Sequence, residues 1–212
     1  DGFTLKNGDN ANYTNGQNAV GWAWKANGQG SANTDGSINT TYTSANTTSG
    51  FSIVSYTGTG SVATLGHGLS TAPSYVIIKR LNVGDWIVGS NSMTSWNYVV
   101  SLNAESVEAN QVNQFNGTAP TTSVVTLGTE GQTNLSGQAF IMYCFSDITG
   151  FSKTGLYTGN GSADGPFTYT GFKPGFILIR RINGNGALKE LKAPKSLRLV
   201  LGCLLVIGIK IF

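Results

Sequence analysis

The chain has 212 residues, of which 40% are hydrophobic and only 11% charged, with 29 glycines. The charge is far below the quarter typical of globular chains, but the apolar residues come in short runs, which excludes a disordered chain with no core to fill. The formal net charge of +3 belongs to the end of the chain: residues 1–181 hold eight Lys/Arg against nine Asp/Glu, and residues 182–212 hold five against one. The body therefore lacks the basic stripe that nucleic-acid binding requires.

Taken in chain order, the sequence divides by self-similarity. Residues 3–25, FTLKNGDNANYTNGQNAVGWAWK, echo residues 125–146, VTLGTEGQTNLSGQAFIMYCFS. Thr4-Leu5 stands for Thr126-Leu127, Gly16-Gln17 for Gly137-Gln138, and Trp22/Trp24 for Tyr143/Phe145. Residues 1–26 therefore read as the C-terminal part of a module. Trp22 and Trp24, two apart on one strand face, read as core. Residues 27–49 are rich in Gly, Asn, Ser and Thr and read as a linker.

Residues 50–149 read as one complete module. Strands are predicted at 51–56, 74–80, 85–89, 97–102, 123–127 and 139–146, each closed by Gly, Asn, Pro or Ser. SYVIIK is nearly continuous apolar sequence, as a central strand is. No stretch of residues 1–181 carries a helical period. Short strands with frequent turns predict an all-β chain folded as an antiparallel β-sandwich in tandem repeat.

Residues 150–181 begin a further module. GFSIVSYTGTG at 50–60 returns as GFSKTGLYTGNG at 150–161. Pro73 and the strand ending at Lys79-Arg80 return as Pro174 and the strand ending at Arg180-Arg181. Across these echoes Cys144 lies opposite Ala23, so that position asks for a small residue rather than a thiol. His67 lies opposite Thr168, so the module does not need an imidazole. Residues 182–212 form an atypical basic and apolar tail of helix-like composition. It reads as a frameshifted or truncated end, with a packing helix or strand second and a membrane anchor third. The apolar run from Leu199 to Phe212 is too short for a comfortable span. The chain begins at Asp1 without an initiator Met or a signal peptide, as a fragment or processed product would.

The sequence is sparse in chemistry. The two cysteines, Cys144 and Cys203, have no metal-ligand spacing and make no disulfide framework. His67 is the only histidine, set in the turn sequence LGHGL, and reads as structural. No nucleophile elbow, HExxH or phosphate-loop motif occurs. Asp85, Glu105, Glu108, Glu130 and Asp147 form no recognisable acid pair. The expectation is a protein that is not an enzyme and carries no cofactor. The turn NGSADG offers oxygens from Asn160 and Asp164 as weak calcium candidates, although a tight turn explains it more simply. The Asn-X-Ser/Thr sequons carry no information in a chain so rich in these residues. Aromatic residues beside polar ones remain as candidates for ligand binding, because a sugar offers a C–H face to a ring and hydroxyls to placed polar groups. These are Trp86 with Asp85, and Trp96 with Asn97. Core packing is the competing reading for both tryptophans.

Several motifs occur in a fixed order: NTDGSINTTYTSANTTSGFSIVSYTGTG, GHGL, the Pro-led VIIKR strand, and MYCFSDITGFSKTGLYTGNGSADGPFTYTGFKP. Over about residues 1–181 the chain resembles a repeated domain of unassigned function from tail-fibre-like structural proteins of marine bacteriophages and prophages. The resemblance implies a concanavalin-A-like, lectin-like jelly roll. It further implies a virion or extracellular location and contact with cell-surface polysaccharide, while the partial modules at the two ends of the chain suggest other virion or fibre subunits as partners in a head-to-tail homo-oligomer. It supplies no catalytic residues. The readings in contention are a glycan-binding virion appendage module, a purely structural spacer, and a polysaccharide-degrading enzyme.

Overall fold

The computed structural model describes residues 23–183, 189–192 and 204–209. The described chain is all-β apart from one short helix. Its strands are β1 (Tyr42–Asn46), β2 (Phe51–Thr57), β3 (Ala63–Gly66), β4 (Tyr75–Arg80), β5 (Trp86–Ser90), β6 (Tyr98–Ser101), β7 (Ala109–Asn110), β8 (Val124–Leu127), β9 (Ala139–Phe145), β10 (Ser152–Tyr157), β11 (Phe176–Arg181), β12 (Lys189–Lys192) and β13 (Leu204–Ile209); α1 is Gly131–Asn134. A seven-stranded sheet has the order β1-β2-β9-β4-β5-β6-β7, and β3 pairs with β8 in a two-stranded sheet. All of these pairings are antiparallel.

The seven-stranded sheet is apolar on both faces. In β9, Phe140, Met142 and Cys144 point to one face, and Ile141, Tyr143 and Phe145 to the other, as the two-residue period requires. The first face packs Val54, Tyr56, Val76, Ile78, Ile87 and Met142 against Leu65 of β3 and Val125 and Leu127 of β8. The second face packs Phe51, Tyr75, Ile77, Val88 and Phe145 against Phe176 and Ile182, which come from the chain beyond β10. Because both faces of β4 are covered, four of its successive residues, Tyr75 to Ile78, are apolar and buried.

The segment read as a linker, residues 27–49, belongs to the fold. It supplies the edge strand β1 and buries Ile38, Thr40, Thr43 and Ser44. Hydroxyl pairing makes such burial of polar residues tolerable. Thr40 Oγ1 lies 2.9 Å from Thr43 Oγ1, and Ser44 Oγ donates to the Gly28 carbonyl at 2.7 Å. Two glycines are needed for the close approach: a Cβ on Gly30 would lie 2.4 Å from the Thr43 carbonyl oxygen, and one on Gly36 would lie 2.3 Å from that of Thr64.

The C-terminal strands form a four-stranded sheet with the order β10-β13-β11-β12. Its pairing follows β2-β9-β4 at a constant offset. Phe51 and Tyr75 both face Phe145, and Ser152 and Phe176 both face Ile209 (152 − 51 and 176 − 75 are both 101). Tyr56 and Arg80 both face Phe140, and Tyr157 and Arg181 both face Leu204, at the same offset. The Gly-Phe-Ser echo lies 100 residues apart, so the extra residue is taken up before β10, and Ser152 rather than Phe151 stands where Phe51 does. The helix-like composition of the tail is overridden at 189–192 and 204–209, which are strands. Among the described residues no helix is long and apolar enough to cross a membrane.

Candidate functional site

The second face of the seven-stranded sheet is covered at one end and open at the other. At the covered end Trp24 packs against Phe51, Phe145 and Phe176, with ring centroids 6.2, 6.2 and 5.8 Å away. Trp24 packs on these rings but is 37% exposed, so it caps the face rather than lying in the core as its place in the repeat suggests; Trp22 lies outside the described residues. At the open end one row of residues crosses five strands in register: Tyr42, Ser55, Ile141, Lys79 and Trp86. All five remain half-buried or exposed.

Trp86 opens β5 and is 37% exposed. Its ring lies nearly parallel to that of Tyr143, at 16° and 6.3 Å between centroids. The neighbouring polar groups are held in place. Asn103 Oδ1 accepts the Trp86 backbone N–H at 2.9 Å, and Asn103 Nδ2 donates to Asp85 Oδ1 at 2.9 Å. Ser101 Oγ donates to Asp85 Oδ2 at 3.3 Å, and the Asp85 N–H donates to Gln132 Oε1 at 3.0 Å. The loop before Asp85 is pinned by Lys79 Nζ and Arg80 Nε, which donate to the Val83 carbonyl at 3.4 and 3.2 Å. Arg80 Nη1 ties the same loop to the Gly131 carbonyl at 3.3 Å. The result is an exposed aromatic ring on the open face, preceded in the chain by a carboxylate that Asn103 and Ser101 hold on the side of Ile87 and the first core. Such a ring can hold the C–H face of a sugar.

Of the four ligand-binding residues expected from sequence, Asp85 and Trp86 come together here, and Trp96 and Asn97 lie elsewhere. Trp96 is 6% exposed in the first core. It packs edge-on against Phe115 at 5.4 Å and donates from Nε1 to Asn91 Oδ1 at 2.8 Å. Its ring also fills the space over Gly89, where a Cβ would lie 2.6 Å from Cζ3. The polar residues around Trp96 suggested exposure, but the turn at 91–97 directs this one side chain inward, so Trp96 offers no ring face to a ligand. Asn97 is half-buried and stabilises the turn, donating its N–H to Ser95 Oγ at 3.2 Å and accepting from the Gln111 N–H at 2.8 Å. Tyr143, Asn103 and Gln132 were not foreseen. For Tyr143 a signal existed, because the internal echo places Trp22 opposite it. Asn103 and Gln132 meet Asp85 only through the fold.

The other candidates are turns or core. Asn160 Oδ1 accepts from the Ser162 N–H at 3.0 Å, and Ser162 Oγ accepts from the Asp164 N–H at 3.2 Å, in an exposed turn. Among the described residues no group of three or more His, Cys, Asp or Glu side chains is placed to hold a metal ion. His67 is buried: Nδ1 accepts from the Leu69 N–H at 3.1 Å and Nε2 lies 3.2 Å from the Thr121 carbonyl. Burial lowers its pKa from the ordinary value. Cys144 is a small apolar filler of the first core whose thiol is pushed up to about 12 by burial. Cys203 lies outside the described residues.

No curated protein matches the chain, and no solved structure does. A family model described as "Domain of unknown function (DUF7483)" matches residues 1–189, and the chain belongs to that family.

Proposed function

We propose that this protein is a non-enzymatic module of a virion appendage, of the bacteriophage tail-fibre kind, that binds cell-surface glycans through the open sheet face around Trp86. The observation that carries the reading is the exposed Trp86 ring stacked on Tyr143 at the open end of the second face. In this reading the protein is a concanavalin-A-like jelly-roll sandwich in tandem repeat. The equal pairing offset of β10-β13-β11 and β2-β9-β4 supports the repeat. The location is the virion or extracellular space, and the partners are other fibre subunits. The polar, weakly charged composition suits a surface that meets neutral polysaccharide.

Binding rather than catalysis is favoured by what the acidic side chains already do. Asp147 accepts from Ser74 Oγ, the Thr154 N–H and Lys153 Nζ, each at 2.8 Å. Glu108 accepts from the Thr94 hydroxyl and N–H, and Glu130 caps α1. The test is a screen of bacterial polysaccharides against the folded protein and its Trp86→Ala variant. Saturable binding lost in the variant is expected; enzymatic depolymerisation of any glycan in the panel would overturn the non-enzymatic reading.

A second reading, a structural spacer, has its own observation. Buried Arg180 of β11 donates from Nη2 to the carbonyls of Ala104 and Ser106 at 2.5 and 2.6 Å. The Glu108 N–H donates to the Ile182 carbonyl at 2.8 Å. These bonds and the Phe176 and Ile182 packing lock successive modules together, as a stiff fibre requires.

A further inference from the structure

We infer that the ligand of the open face is an extended, unbranched stretch of glycan lying across the strands from Trp86 to Tyr42, which makes Tyr42 a second binding residue. This rests on the glycan reading of Trp86 and adds to it the shape of the ligand and the length of the site. Tyr42 and Trp86 stand at the two ends of the row Tyr42, Ser55, Ile141, Lys79 and Trp86, in which each residue is the direct cross-strand partner of the next. Direct partners share a face. Here it is the face opposite Val54, Ile78, Ile87 and Met142 of the first core. Tyr42 is 46% exposed and Trp86 37%. Four strand spacings separate them, about 19 Å.

Between the two rings the row forms a low floor. Ser55 and Ile141 are half-buried. The Lys79 ammonium is drawn aside toward the β4–β5 loop, where it donates to the Arg80 and Val83 carbonyls at 2.6 and 3.4 Å. The next row outward continues the floor with Thr57 and Ala139, direct partners that are both exposed. Beside them Leu81 is 57% exposed, and its N–H donates to the Ala139 carbonyl at 3.0 Å. Ser55 Oγ accepts the Tyr42 N–H at 3.1 Å, and its own hydroxyl hydrogen remains to be donated to a ligand oxygen.

A single sugar can lie on one ring but cannot touch both across about 19 Å. A linear chain that leaves Trp86 along the row meets Ile141, the Ser55 hydroxyl and the Tyr42 ring in turn. Once one ring holds such a chain, contact with the other is intramolecular, so two weak contacts combine into one stronger site. The separation is set by strand register, because a one-residue slip of β1 would turn Tyr42 to the other face. That register is held on both edges of β1. The Thr41 N–H donates to the Ser55 carbonyl at 2.8 Å, and Ser31 and Thr43 exchange both backbone bonds at 3.2 and 2.7 Å.

The test is equilibrium binding of the full chain to oligosaccharide ladders, from disaccharide upward, made by partial acid hydrolysis of each bacterial surface polysaccharide in the panel. Trp86→Ala, Tyr42→Ala and Tyr42→Phe are measured alongside, with thermal midpoints to confirm folding. The expected result is an affinity that rises about tenfold or more once a fragment is long enough to reach both rings. Tyr42→Ala should remove that rise and leave the shortest fragments bound as before, Tyr42→Phe should keep it, and Trp86→Ala should weaken fragments of every length. An affinity that does not change with length, or a rise that survives in Tyr42→Ala, would overturn the extended site while binding lost in Trp86→Ala still upheld the glycan reading. No binding at any length by the folded protein would overturn both.

Discussion

The two faces of the seven-stranded sheet come from the same strands and end differently. On the first, Val54, Val76, Ile78 and Met142 are closed over by the β3–β8 pair, which the same hundred residues supply. On the second, Phe51, Tyr75 and Phe145 are covered by Trp24 and Phe176, while the row from Tyr42 to Trp86 stays open. The difference teaches how an aromatic residue acquires a role. Trp96 falls on the closed face and is committed to packing; Trp86 falls on the open end of the other and is available to a ligand.

The largest expected effect is on the closed face. Phe140 is buried and stacked on Tyr56 at 5.1 Å. Phe140→Ala is expected to cost about 3–5 kcal/mol in urea unfolding. A loss below about 1 kcal/mol would mean that this face is not the principal core. Next comes the covered end of the second face. Arg180→Met leaves the Ala104 and Ser106 carbonyls without that donor and is expected to cost about 1–3 kcal/mol. Hydrogen exchange should quicken in β11 and leave β9 unchanged; equal quickening in both would show a single cooperative unit.

A smaller effect concerns pH. His67 accepts the Leu69 N–H through Nδ1 and so must be neutral in the fold, and its folded pKa lies below the ordinary 6.5. The unfolded chain then binds the proton more readily. Stability from this group is complete above pH 6.5 and declines as pH falls from there through the folded pKa, with a slope of at most about 1.4 kcal/mol per pH unit. In urea unfolding between pH 8 and pH 5, the loss of stability on acidification should be smaller in His67→Gln; an identical slope in both proteins would contradict the assignment. The smallest effect is on the open end, where Trp86→Ala is expected to cost about 1 kcal/mol or less in stability.

Six strands of the complete module follow from its hydrophobic runs, β4 most clearly because four adjacent apolar residues are buried on both faces. β1 and β3 were not legible. β1 reads YTSAN and is buried through hydroxyl pairs rather than apolar area, and β3 reads ATLG inside a glycine-rich stretch. At the candidate site, Asp85 and Trp86 are adjacent in sequence and so were visible together. Asn103 and Gln132 reach them across the sheet edge, with no local pattern to mark them. Trp96 misled because polar neighbours report the exposure of a turn, not the direction of one side chain within it.

The most direct test of the central claim is equilibrium binding of the full protein to a panel of bacterial surface polysaccharides, repeated with Trp86→Ala. The account predicts saturable binding to at least one member, weakened about tenfold or more in the variant, with the thermal midpoint nearly unchanged. Binding that persists undiminished without the Trp86 ring, or no binding to any member by a folded protein, would contradict it.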